Sequence, residues 1–86
     1  MDTKTELMII TMEECGELTQ ACSKVLRTDF SKETIEDLTK EVADVMCMIE
    51  LMKEYLYIKN SDIVQGIQNK RDKLKIWSNL INRNNS

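Results

Sequence analysis

The chain has 86 residues, 31% of them charged, and a formal net charge of −3. That length holds one domain with a marginal core, and the acidic balance argues against a nucleic-acid-binding surface, which would carry a basic excess. No run approaches the roughly 20 apolar residues of a membrane span, and acids interrupt MDTKTELMIITMEE where a signal peptide would need an apolar stretch.

There is no proline, and Gly16 and Gly66 are the two glycines. With six methionines besides, the chain reads as all-α, a single domain over residues 1–86. The expected architecture is an antiparallel bundle of three main helices, completed by assembly into a homodimer or homotetramer, the usual remedy for a small core without disulfides. Cys15, Cys22 and Cys47 follow no metal-binding spacing, and Cys22 and Cys47 each have an apolar residue beside them in the sequence. They read as buried free thiols of a reducing, cytoplasmic compartment.

The first helix is expected to start near Thr3, where Thr3 and Glu6 fit a capping box. Leu7, Ile10, Leu18, Ala21 and Val25 recur with helical period, and TDFS after Arg27 supplies a loop. Ser31 or Asp29 caps a second helix, from about Lys32 to Ile58. At about 100° per residue, its apolar positions cover more than half the circumference. Val42, Val45, Ile49, Met52 and Leu56 make one side; Met48, Leu51 and Tyr55 make an adjoining one. A surface helix needs a stripe of only about 100°, so part of this helix is expected to face another subunit. Asn60, Ser61 and Asp62 are expected to break and recap the chain before a third helix, about Asp62 to Leu80. Its buried stripe would be Ile63, Ile67, Leu74 and Trp77, with Lys70, Arg71, Lys73 and Lys75 on another face. The tail NRNNS is polar and expected to fray.

Two acid pairs interrupt these apolar stripes. Glu14 follows Leu7 and Ile10 in a three-four spacing, and Glu17 lies one turn on; Glu41 and Asp44 lead into Met48, Leu51 and Tyr55 in the same way. Residues three apart project from one helix face. An antiparallel packing of the two helices would make four carboxylates converge. Such a group needs protons, basic partners or a cation to offset its mutual repulsion. With no histidine in the chain, a Glu-x-x-His di-iron site is excluded, and all-oxygen ligands suit Mg²⁺, or Mn²⁺ in its place. Ordinary solvated pairing with Lys24, Lys40 or Lys53 is the bland alternative.

Glu14-Cys-Gly-Glu17, a 23-residue spacer and Glu41-Val-Ala-Asp44 resemble the E-x-x-E and E-x-x-D signature of the MazG-like all-alpha nucleotide pyrophosphohydrolases. ACSKVLR looks like the SK-x-x-R segment that follows the first acid pair in small phage-type members. The resemblance covers roughly residues 7–56. It implies cleavage of nucleoside triphosphates to monophosphate and pyrophosphate, with Glu14, Glu17, Glu41 and Asp44 as Mg²⁺ ligands and catalytic carboxylates. It implies phosphate contacts from Lys24 and Arg27, with Lys70, Arg71 and Lys73 as further candidates. Glu13 is left as a base or a more distant supporting acid. The chain departs from many relatives in having only twelve residues before Glu13, where others carry part of the base pocket. Gly16 would let a backbone or the nucleotide approach closely. The competing readings are a non-enzymatic helical interaction module, and hydrolysis of a specialised nucleotide such as phosphoribosyl-ATP or an alarmone. The partners expected are a nucleotide and further copies of the chain, with no nucleic acid and no membrane.

Overall fold

The computed structural model describes residues 1–81; the NRNNS tail lies outside the described residues. The described chain is all-α: α1 (Thr3–Arg27), α2 (Lys32–Leu56) and α3 (Asn60–Trp77).

The helix ends differ from the sequence expectation in physical detail. Asp2, not Thr3, caps α1: its carboxylate accepts the Thr5 N–H at 2.8 Å and the Thr5 hydroxyl at 3.0 Å. The carboxylate is the stronger acceptor for the free N–H groups of a first turn, so the Thr3–Glu6 box does not form. α1 closes in a Schellman pattern, with Phe30 N–H donating to the Val25 carbonyl and Asp29 N–H to that of Leu26. Asp29 and Phe30 both take left-handed backbone (φ 53° and 62°), and the turn is tied down by hydroxyl contacts among Thr28, Ser31 and Thr34. Ser31 caps α2 as expected, accepting from the Thr34 N–H. α2 stops at Leu56 rather than Ile58 because Tyr57 turns left-handed (φ 57°). Asn60, Ser61 and Asp62 do not form the break; they are the first turn of α3, which has no side-chain cap and ends at Trp77 rather than Leu80. Lys53 joins the two helices, bonded to the Asn60 side chain at 3.2 Å and to Glu50 at 2.9 Å.

Packing within the chain is concentrated between α1 and α2, while α3 touches the pair only sparsely. The two pack antiparallel: Leu7 and Ile10 share a recess with Met48, Leu51 and Tyr55, and at the other end Ala21 and Lys24 share a cleft with Thr34 and Asp37. Leu7, Ala21, Val25 and Met48 are the buried apolar residues. The stripe expected to be buried on α3 is not: Ile67 is exposed, Trp77 is 82% exposed, and only Ile63 and Leu74 are half-covered. One helix of 18 residues leaving a two-helix layer has no second layer to cover it.

The cysteine expectation also fails, since Cys15, Cys22 and Cys47 are all exposed. A sequence neighbour lies about 100° away around a helix, so apolar neighbours do not report which way a side chain faces. Cys15 and Cys22 belong to a second, outward stripe of α1: Met8, Met12, Cys15, Thr19, Cys22 and Leu26, spaced four and three alternately and all exposed. α2 has its own, in Ile35, Thr39, Val42, Met46 and Ile49, also exposed. Counting 100° per residue from the α1–α2 seam, both stripes turn to the same side of the antiparallel pair. The hairpin therefore has one broad apolar face and, on its other side, an open seam that carries the acids.

Candidate metal centre

Glu14 and Glu17 come from the middle of α1, Glu41 and Asp44 from that of α2. Antiparallel packing brings them level, and one carboxylate oxygen from each lies within 4.8 Å of the other three. Glu14 and Glu41 sit deeper and are half-buried; Glu17 and Asp44 are exposed at the edge.

The pairing with lysines that would make this a solvated surface cluster is absent. The ion pairs among the described residues are Lys53–Glu50 and Lys75–Asp72. The Oε2 atoms of Glu14 and Glu41 are buried without a hydrogen-bond partner, a costly state for an acceptor. Desolvation pushes Glu14 above the ordinary carboxylate range, and the charges of Glu17, Asp44, Glu41 and Glu13 push it further. Glu41 is raised by desolvation, then by the charge of Glu17 and a hydrogen bond with it, then by Asp44 and Asp37. Two unpaired oxygens inside a ring of four carboxylates make a donor set suited to a hard divalent cation such as Mg²⁺ or Mn²⁺.

Along the seam toward the α1–α2 turn lies a cleft of about 310 Å³ lined by Glu17, Gln20, Ala21, Lys24, Thr34, Asp37, Lys40 and Glu41. A second cleft continues it past Gln20 and Lys24 to Ser23 and Arg27, where the Arg27 Nη1 donates to the Ser23 hydroxyl at 3.3 Å. Lys24 is thus brought beside Glu17 and Glu41, and Arg27 lies further along, past Lys24. Lys70, Arg71 and Lys73 are exposed on α3 and line neither cleft. Glu13 is exposed and outside the group of four, near enough for its charge to act on Glu14. Gln20, Thr34 and Asp37 are not singled out by the sequence, which names Lys40 only as an ordinary pairing partner of the acids. Their signal was there in the register, since Asp37 and Thr34 precede Glu41 by four and seven residues and so share its face. Gly16 faces away from the seam, and a Cβ there would meet nothing within 4 Å among the described residues, so none of them approaches closely.

No described helix is long and apolar enough to cross a membrane. The family model described as the MazG nucleotide pyrophosphohydrolase domain matches residues 2–75, spanning all four acids, both clefts and most of α3. No curated protein and no solved structure matches the chain.

Proposed function

The chain belongs to the MazG nucleotide pyrophosphohydrolase family, and from that premise we propose that it is a Mg²⁺-dependent enzyme converting (d)NTPs to (d)NMPs and pyrophosphate. The observation that carries this is the convergence of Glu14, Glu17, Glu41 and Asp44 within 4.8 Å, with two buried oxygens left unpaired.

In this reading the four carboxylates hold the metal. Bound Mg²⁺ would offset phosphate charge and acidify a coordinated water. Lys24 and Lys40, on opposite walls of the adjoining cleft, pair with the polyphosphate oxygens, and Arg27 extends the basic track. Positioning and charge neutralisation carry phosphoryl transfer, so the chain needs no covalent nucleophile. One of the four carboxylates, or Glu13 beside them, orients the attacking water or takes its proton. Glu13, outside the ring, helps to hold its potential negative.

The exposed apolar side of the hairpin supports self-association, with a second copy covering Met12 and Met46. Nucleotide-pool control then places the work in the cytoplasm, that of a host cell if the gene is viral. The test is a panel of the eight common NTPs and dNTPs incubated with purified protein and Mg²⁺. Pyrophosphate release from at least one of them is the expected result. No release from any, together with a melting temperature that Mg²⁺ does not move, would favour an interaction module instead.

A further inference from the structure

The seam between α1 and α2 continues beyond the acids in the direction opposite to the lysine cleft. There it opens into a recess of about 180 Å³ whose walls are mainly apolar: Leu7, Ile10, Met48 and Leu51, with the Tyr55 ring at 45% exposure and Glu6 at the rim. All lie on the side of the helices that carries the carboxylates, because Leu7 and Ile10 precede Glu14 by seven and four residues, and Met48 and Leu51 follow Asp44 by four and seven.

The open side of the hairpin thus presents three segments in line: an apolar recess with an aromatic ring, a ring of acids, and a cleft with Lys24 and Lys40. Four residues of helix separate Asp44 from Met48 at the near wall and eleven separate it from Tyr55 at the far wall, about 6 and 16 Å of rise, a span that one extended nucleotide covers. A nucleoside triphosphate has the matching order, with a flat apolar base at one end and polyanion at the other. Charge fixes the direction. Lys24 and Lys40 lie on the turn side, whereas Glu6 at the recess repels phosphate.

We propose that the recess binds the nucleobase, stacked on Tyr55, with the polyphosphate running across the acids toward Lys24 and Lys40. This rests on the metal-and-phosphate reading above and adds to it the orientation of the substrate and the residue that reads the base.

The experiment compares two ligands in the presence of Mg²⁺ on the intact chain: a non-hydrolysable α,β-imido nucleoside triphosphate, and inorganic tripolyphosphate, which has the phosphates without the base. Base–aromatic stacking of ordinary strength makes Tyr55→Ala bind the nucleotide about tenfold or more weakly, while tripolyphosphate affinity stays the same and Tyr55→Phe stays near wild type on both. Tyr55→Leu serves the same comparison should Tyr55→Ala fold poorly. Equal weakening of both ligands, or of neither, overturns the recess assignment. Failure of wild-type protein to bind tripolyphosphate at all instead overturns the phosphate reading on which it stands.

Discussion

Glu14 and Glu41 meet across the α1–α2 seam, and each buries an Oε2 atom that no protein group satisfies. Desolvation and like charge act together here, so the arrangement opposes folding of the metal-free chain, and a bound cation would relieve it. Glu41→Gln removes one charge from the ring. Its metal-free melting temperature is expected to lie above that of wild type. Mg²⁺ at a hundredfold excess over Kd should stabilise wild type by about 2.7 kcal/mol, a rise on the order of 10–20 °C for a domain this small. That rise should vanish in Glu41→Gln, and pyrophosphate release should fall by more than about 100-fold. Thermal melts with EDTA and with Mg²⁺, on both proteins, check each part.

The same two residues set a pH dependence. Both carboxyls are held above their ordinary value near 4.5, so over that interval the folded chain binds more protons than the unfolded one. Metal-free stability from these groups therefore grows as pH falls from neutral through the raised values, is complete below 4.5, and is lost as pH rises. Asp2 acts oppositely: its Thr5 hydrogen bonds hold it below 3.8, so its contribution is present above that value and is lost only in stronger acid. Metal binding needs the ionised carboxylates. Melting temperature in EDTA should thus be higher at pH 5 than at pH 7.5, and the order should reverse with Mg²⁺. An unchanged order in Mg²⁺ would separate the acid ring from metal binding.

The acid ring was legible in the sequence because its logic is local. Two i, i+3 pairs on apolar stripes need only an antiparallel hairpin to converge, and α1 and α2 provide one. Lys24 was legible from the SK-x-x-R resemblance. Lys40 was legible only as a pairing partner for the acids, because its position on the cleft wall depends on how the two helices rotate against each other. The burial expected for Cys15, Cys22 and Trp77 failed for a related reason: apolar character says that a side chain avoids water, not which chain covers it. The caps failed on competition, since Asp2 offers the first turn of α1 a better acceptor than Thr3 does.

Gly16 sits in the interior of α1, without left-handed backbone and with open space where a Cβ would go. A helical glycine costs about 0.5–1 kcal/mol relative to alanine. Nothing among the described residues offsets that. Gly16→Ala should raise the melting temperature by about 3–6 °C and leave pyrophosphate release intact. A fall in melting temperature, or in the oligomeric fraction, would mean that a second copy approaches α1 closely there.

The apolar side of the hairpin sets the last expectation. Met12 is 66% exposed and Met46 58%, and each lies mid-stripe in the alternating four-and-three spacing that suits helix-on-helix packing. The two stripes face the same way, so a second hairpin laid on this side would complete a four-helix layer pair and bury both. A charge at the centre of such an interface would be desolvated without a partner, at a cost of several kcal/mol. Met46→Glu should therefore convert an oligomer to monomer in sedimentation velocity at micromolar protein, with helical content retained. Because the acids and clefts lie on the opposite side, tripolyphosphate binding with Mg²⁺ should survive in the monomer. A wild-type chain that sediments as a monomer at high concentration would instead leave this face to a different partner.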